Sequence, residues 1–538
     1  MHKPTIGELL RESASRYRAL PFIVEDDRST SFAEFDHEVD RLATGLLKLG
    51  VSSGDHIGIW LPNSRAWVLC FCAAARIGAI IVPVNTRYKA DEASYVIRQS
   101  NIKVLIMLHR MWKTDYYDIL TSLAPDLKDH TGGPLELASL PDLKTVVVIA
   151  HEAPRGTITM ASLTGELDPA AVRDAEQRVK WSALLLISYT SGTTGKPKGV
   201  MHHHGVIRQS TKVGLAMHVE PGDRVMAHMP FYHSAGLFMG LIPALALGAA
   251  LVPMLQWDAT RALRLIERHR ITMFGGVPTH FYDLVDAARQ SPADTSSIKG
   301  AWIGGSAVMQ ETFENIKRTL GIHPLLSTYG MTENTISTTF NAWDDPVDVC
   351  CRNRAPLLSD CEVKIVDPAT LETLGHGQDG EVWCRGETVM MGYYKDPEAT
   401  RSAVTADGWL KTGDIGNFDE RGYLTITGRL KEMLKIGGTN TSPIEIEQYL
   451  AGHPDIKSSV VVGVADERLG QVAYAFIQAV PEAHLSSKDV IEYCASRIAH
   501  YKVPRYVRFV DEFPRTETGK IKRAVMAQQA QEDSSGSS

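Results

Sequence analysis

Tyr189-Thr190-Ser191-Gly192-Thr193-Thr194-Gly195-Lys196-Pro197-Lys198-Gly199 follows directly on the apolar run Ala183-Leu184-Leu185-Leu186-Ile187, and this junction decides how the chain is read. The apolar run predicts a buried strand. In the run that follows, three glycines let backbone approach an anion with no Cβ in the way and permit the positive φ values that turn successive N–H groups inward. Thr190, Ser191, Thr193 and Thr194 add hydroxyl donors, and Lys196 and Lys198 add positive charge. The chemistry is that of a polyphosphate cradle. It is not a P-loop, which ends in Gly-Lys-Ser/Thr with the hydroxyl on Mg²⁺; here Pro197 separates the lysines.

Outward from this junction, Val104–Met107, Thr145–Ile149 and Ile271–Phe274 read as apolar strands alternating with helical patterns such as Arg261–Arg268. That alternation predicts α/β layers with buried parallel strands. After about Asp360 the strands shorten and turn signals multiply (Glu362–Val366, Glu381–Cys384), which predicts a smaller β-rich subdomain. Gly422–Arg429 reads as a strand ending at a charged turn. Beyond Lys431 comes a compact αβ unit: helix Pro443–Leu450, strands Ser459–Val462 and Ala473–Val480, and helix Ser487–Ala499. The expected organisation is a large α/β domain over 1–428, a junction at 429–431, a small α+β domain over 432–527 and a polar, disordered tail over 528–538.

Four further segments fall in a fixed order with the glycine-rich run: Ser327–Glu333, Gly413-Asp414, Gly422–Gly438 and Pro514–Lys520. Together the five resemble the motif series of the adenylate-forming superfamily, which includes acyl-CoA synthetases, luciferases and the adenylation domains of peptide synthetases. The resemblance covers nearly the whole chain. It implies a multidomain α/β fold whose small C-terminal domain is mobile, with ATP, Mg²⁺ and coenzyme A as cofactors or co-substrates of a carboxylic acid. A carboxylic acid acylates poorly because its oxygen leaves badly; joining it to the α-phosphate of ATP makes AMP the leaving group. The protein must then bring two anions together, which calls for cations and hydrogen-bond donors where charge accumulates.

The resemblance implies roles residue by residue. Thr190 to Lys198 (Ser191, Gly192, Thr193, Thr194, Gly195 and Lys196 between them) would cradle the β and γ phosphates. In Ser327-Thr328-Tyr329-Gly330-Met331-Thr332-Glu333, Tyr329 would stack on adenine, Thr332 would donate to a phosphate and Glu333 would hold Mg²⁺, which prefers few carboxylates plus phosphate oxygens. Gly304-Gly305-Ser306 would wall the adenine and acyl sites, and Asp414 and Arg429 would meet the ribose. Lys431 matches the pivot of the hinge; the next residue, often Asp in relatives, is Glu432 here. Lys520 matches the lysine that bridges carboxylate and α-phosphate, a task suited to a point charge on a long stem. Rotation of the small domain would present the Lys435-Ile436-Gly437-Gly438 face to the pantetheine thiol, and Lys435 and Asn440 resemble residues that assist one or other half-reaction.

Phe231-Tyr232-His233-Ser234-Ala235-Gly236-Leu237 matches the acyl-pocket segment, with His233 at the gate and Ser234, Gly236 and Leu237 lining it. No acidic residue lies between Phe231 and Leu251. An amino-acid substrate would bring an ammonium that needs a carboxylate partner, so an uncharged acyl tail is expected. Of His202-His203-His204, His204 matches a family position after the phosphate loop, and a helix-start histidine near phosphate is expected there. The leading expectation is an AMP-forming acyl-CoA ligase. The alternatives are delivery to a carrier-protein thiol, luciferase-like use of the adenylate with oxygen, and a nucleotide sensor, which an intact Lys520 disfavours.

Composition narrows the class. The 538 residues exceed one core, and a formal charge of −7 offers no basic field for nucleic acid. Seven cysteines at no zinc-ligand spacing read as buried thiols in a cytoplasmic protein. Thr5 and Glu8 form a capping-box signature in place of a signal-peptide pattern. The apolar stretches Ala66–Val84 and Leu237–Met254 are broken by glycine and proline, so they read as core helix-turn-strand units and not as membrane spans. A homodimer is the expectation for assembly.

Overall fold

The computed structural model describes residues 3–190, 197–305, 308, 310–352, 354–358, 361–436, 439–481, 483–515 and 521–535. Two eight-stranded sheets form the large domain. The first runs, from edge to edge, Thr339–Phe340, Leu325–Tyr329, Gly300–Gly304, Met273–Gly276, Arg224–Ala227, Ala250–Pro253, Pro21–Glu25 and Arg28–Ser31. The second runs Gly392–Tyr393, Lys198–His203, Leu184–Thr190, Ile80–Pro83, His56–Trp60, Ile102–Leu108, Thr145–Ile149 and Ile158–Thr159. Their interior strands pair in parallel. Such strands are covered on both faces, which is why Leu185, Leu186, Ile57, Ile59, Val104 and Ile106 are apolar without alternation.

Helices fill the layers between the sheets. Arg65–Arg76 is buried along almost its whole length and passes through a turn to Ile80–Pro83, the core unit expected from residues 66–84. Ile242–Leu247 ends on left-handed Gly248 (φ 79°) before the strand Ala250–Pro253, as a C-terminal glycine permits. Among the described residues no helix is long and apolar enough to cross a membrane. One charged network lies inside the layer: fully buried Arg76 pairs with Asp40 at 2.7 Å and Glu176 at 3.3 Å, and Arg11 joins both carboxylates at 2.8 Å. Four helices are thereby tied together, and removal of one partner from such a network costs on the order of 3–5 kcal/mol.

A five-stranded antiparallel sheet (Arg354–Ala355, Leu424–Arg429, Leu410–Phe418, Gly380–Arg385, Glu362–Val366) forms the β-rich subdomain. Beyond it, Ile456–Asp466 and Gly470–Ala479 pair as a long hairpin, Tyr506–Phe509 adds in parallel, and Pro443–Leu450 and Ser487–Ala495 pack alongside.

One expectation is corrected here. The polar run from Gln528 is not a disordered tail through Ser535: it belongs to the helix Arg523–Ser535. Met526 and Ala530, four residues apart, are buried against Val460 and Phe476, and Asp533 accepts from Tyr474 Oη at 2.8 Å and Arg508 Nη1 at 2.6 Å. Two apolar anchors at helical spacing dock a segment that composition alone reads as solvated. His204 stands at the entry to the helix Val206–Ala216, where its carbonyl accepts the Ile207 N–H at 3.1 Å. It follows the strand Lys198–His203, and its Nδ1 accepts the Ile6 backbone N–H at 3.1 Å, which ties the first helix to the sheet.

Burial pushes the His204 imidazole down to about 3 and His202 to about 4. Both are neutral in the fold, whereas an unfolded histidine takes a proton below about 6.5. Their stabilisation is therefore complete above that value and is lost as pH falls toward 4. For His204 the loss between pH 7 and pH 5 is about 2 kcal/mol. Calorimetric melting of the protein and of His204→Asn across that range checks this: the variant's Tm should fall less steeply, and parallel slopes would contradict it.

Candidate active site

The strand Leu184–Thr190 runs three residues further than the apolar run that ends at Ile187, and it pairs antiparallel with Lys198–His203, Thr190 opposite Lys198. The two ends of the glycine-rich run are thus pinned side by side: Thr190 and Lys198 are paired, and Lys198 Nζ lies 5.0 Å from the Tyr393 ring centroid. Ser191, Gly192, Thr193, Thr194, Gly195 and Lys196 lie outside the described residues.

Across the crevice, Leu325–Tyr329 of the first sheet ends in a tight turn carrying Thr332 and Glu333. A Cβ on Gly330 would stand 1.9 Å from the Ile336 carbonyl oxygen, so only glycine fits this crossing. Thr335 and Ile336 hold φ of 58° and 67°, a region that costs a β-branched residue about 1–3 kcal/mol. Buried Asn334 holds the turn in place: its Oδ1 accepts the Met331 N–H at 2.9 Å and its Nδ2 donates to Thr338 Oγ1 at 2.7 Å. Glu333 is nearly buried, and its Oε1 accepts the Tyr393 hydroxyl at 3.0 Å. Tyr393 lies on the edge strand of the second sheet, beside Val200. Burial, then the Glu333 charge, drives its hydroxyl pKa well up, so it stays a donor.

Asp414 and Arg429 face each other in register on neighbouring strands, and Arg429 Nε reaches Asp414 Oδ1 at 2.9 Å. Tyr329 Oη donates to the other oxygen, Oδ2, at 2.7 Å. The Tyr329 ring packs against Cys361, Ile365, Val382 and Cys384, so its hydroxyl anchors the carboxylate while the ring fills a core. Ser327 and Thr328 also serve the frame: Ser327 Oγ donates to Asn341 Oδ1 at 2.7 Å and Thr328 Oγ1 to the Thr339 carbonyl at 2.9 Å. Gly304 abuts Thr328, where a Cβ would come within 2.9 Å of Cγ2, and Gly305 adopts φ 89°. Ser306 lies outside the described residues.

The acyl segment meets this group directly. Ser234 Oγ donates to Thr332 Oγ1 at 2.9 Å. His233 precedes the short helical turn Ser234–Gly236, with its ring 4.8 Å from that of Tyr232, and Leu237 is buried at the start of the next turn. A Cβ on Gly236 would stand 2.4 Å from the carbonyl oxygens of both Met229 and Pro230. Asn63, from the second sheet, clamps the whole segment: Nδ2 donates to the Ala227 and Met229 carbonyls at 2.9 and 2.8 Å, and Oδ1 accepts the Phe231 N–H at 2.7 Å. Sequence reasoning missed Asn63 and Tyr393, because each acts on a partner far along the chain, and Asn334, whose partners Met331 and Thr338 are close in sequence but meet it only in the folded turn.

At the domain junction, Leu430 N–H bonds the Gly413 carbonyl at 2.8 Å, and Glu432 and Met433 N–H return to the Arg429 carbonyl. Lys431 is exposed in that turn. Glu432 pairs with Arg523 at 3.5 Å. Lys435 stands opposite Asn440 in a short hairpin, with its N–H on Gln471 Oε1 at 2.8 Å. Gly437, Gly438 and Lys520 lie outside the described residues.

Among the described residues no cluster of three or more His, Cys, Asp or Glu side chains could cage a metal. A lone buried carboxylate such as Glu333 suits Mg²⁺, which keeps waters and takes its remaining ligands from phosphate oxygens.

With this geometry in place, the comparisons give the class. Residues 10–394 match the family model for AMP-binding enzyme, and residues 445–520 match that for the AMP-binding enzyme C-terminal domain. The chain belongs to this family and stands among its acyl-CoA synthetases, ATP-using acid–thiol ligases. It is 33% identical over 540 residues to the mitochondrial medium-chain acyl-CoA ligase of Mus musculus, covering 98% of this chain and 88% of that one. It is 38% identical over 508 residues to a methyl-dioxo-octahydro-indenyl propanoyl:CoA ligase of Mycobacterium tuberculosis, covering 93% and 94%. The anthranilate CoA ligase AuaEII in complex with anthranoyl-AMP superposes with a TM-score of 0.85 at 26% identity, covering 99% of this chain and 98% of that one.

The crossing at Gly330 yields a direct test. Gly330→Ala should cost on the order of 3 kcal/mol, read as a drop in Tm; an unchanged Tm would mean that the turn is not held as described.

Proposed function

We propose that the chain joins an apolar carboxylic acid to AMP, releasing pyrophosphate from ATP, and then passes the acyl group to the thiol of coenzyme A. The Ser234–Thr332 hydrogen bond carries this reading, because it sets the mouth of an uncharged pocket against the turn that bears Glu333. A carboxylate entering along that pocket arrives head first at the phosphate-facing residues. Its oxygen attacks the α-phosphorus and pyrophosphate leaves; the sulphur of the thiol later attacks the acyl carbon and AMP leaves.

In this scheme the loop from Thr190 to Lys198 cradles the β and γ phosphates. Asp414 accepts from the ribose hydroxyls, held for the purpose by Tyr329 and Arg429. Gly304, Gly305 and Ser306 let a flat base come close. Glu333, positioned by Tyr393, would hold Mg²⁺, which neutralises phosphate charge when bound. Lys520 bridges the substrate carboxylate and the α-phosphate. The small domain, 432–527 with the helix that continues to Ser535, turns about residues 429–431 with Lys431 as pivot, and the Glu432–Arg523 pair ties the hinge to the start of the last helix. After rotation, Lys435, Gly437, Gly438 and Asn440 face the thiol. Seven buried free thiols fit a reducing compartment, and the cytoplasm is the assigned location, with a homodimer as the assembly.

Lys520→Ala should abolish acid-dependent pyrophosphate release while largely sparing thioester formation from a supplied acyl-adenylate. Equal loss of both half-reactions would remove Lys520 from its role. Tyr393→Phe should lower activity or Mg²⁺ affinity about 10–100-fold through loss of the hydroxyl that orients Glu333. A Mg²⁺ titration of pyrophosphate release reads this, and an unshifted curve with full activity argues against it.

A further inference from the structure

The helical layer over the first sheet encloses a narrow slot of about 30 Å³ that opens beside Gly236. Its floor is the sheet, at Val225, Met273, Gly275 and Trp302; its roof includes Met239 and Gly240. None of its lining residues is charged. Resting on the ligase reading above, we propose that the slot admits a straight, saturated acyl chain, and that Trp302 is the residue that sets its width next to the reacting carboxyl group.

Three observations lead there. Trp302 stands opposite Gly275 in the parallel register, and a Cβ at 275 would lie 2.0 Å from the indole Nε1. The indole is therefore laid flat across the neighbouring strand, in space that only a glycine leaves open. Next, a Cβ on Gly304 would come 3.9 Å from Trp302 Cζ3. This puts the indole beside Gly304, in the glycine turn assigned above to the nucleotide. Finally, the rest of the lining is soft where Trp302 is rigid. Met217, Met226, Met229, Met239 and Met273 all line the slot, and unbranched thioethers swing aside without moving backbone. The roof also carries a π-turn over Leu237–Leu241, within which a Cβ on Gly240 would meet nothing within 4 Å.

A slim chain can thus open the slot by displacing methionine side chains, whereas a branch or ring on the α-carbon meets an indole backed by Gly275.

The test measures kcat/KM by pyrophosphate release for octanoate, 2-methyloctanoate and cyclohexanecarboxylate in the wild type and in Trp302→Ala. The wild type should favour octanoate over both hindered acids by about tenfold or more, and the variant should reduce that preference by about tenfold or more, with the KM for ATP within about twofold. Should Trp302→Ala fail to fold, Trp302→Leu is read in the same way. An unchanged preference in a folded variant, or a wild type that uses the ring acid as well as octanoate, overturns the role of Trp302. Absence of pyrophosphate release with all acids sinks the ligase reading instead.

Discussion

Everything in the large domain depends on a seam where the carboxyl ends of two parallel sheets meet. Apolar packing brings the sheets together, but it leaves polar side chains at the seam that must be satisfied from the opposite side. Asn63, at the end of a strand in the second sheet, does this for the Ala227 and Met229 carbonyls of the first. Glu333, after a strand of the first sheet, does it with Tyr393 of the second. A buried polar group without a partner costs about 1–3 kcal/mol, so these few bonds fix how the sheets align. Ligand crevices of α/β proteins form outside the carboxyl ends of such strands.

Strain sits at the same place. Thr335 and Ile336 are held at positive φ by Asn334, by the Ile336 N–H to the Met331 carbonyl and by Thr335 Oγ1 to the Thr388 carbonyl. The turn is over-determined, which leaves Thr332 and Glu333 little freedom before any nucleotide arrives. A site that must stabilise charge in a transition state gains from groups already in place, because no reorganisation is then required during reaction.

The acyl side is built on the opposite principle. Methionines and a π-turn make its lining deformable, and one indole supplies the rigid element. The two halves of the proposed site meet at the Ser234–Thr332 hydrogen bond, so in the proposed reaction the head of the substrate would meet a fixed frame and its tail an adaptable one.

Much was legible in the sequence. The apolar runs at 104–107, 145–149 and 184–187 fall in parallel strands, the Thr5–Glu8 capping box forms as expected, and the breaks at Gly78 and Gly248 mark the passage from helix to strand. These follow from local physics: burial on both faces selects continuous β-branched and aliphatic runs, and positive φ selects glycine. The order of five short motifs carried the family and its chemistry. What the chain could not declare was which polar atoms would meet. No local pattern says that the Tyr329 hydroxyl meets Asp414, or that Ser327 and Thr328 bond Asn341 and Thr339. Nor does any say that His204 accepts from Ile6 of the first helix, or that the polar last segment docks on two apolar anchors. Each of these outcomes rests on a partner outside the local window, from 11 residues away for Thr328 to 198 for His204, and the partner is chosen by the packing of sheets and helices, a property of the folded chain that no local pattern encodes.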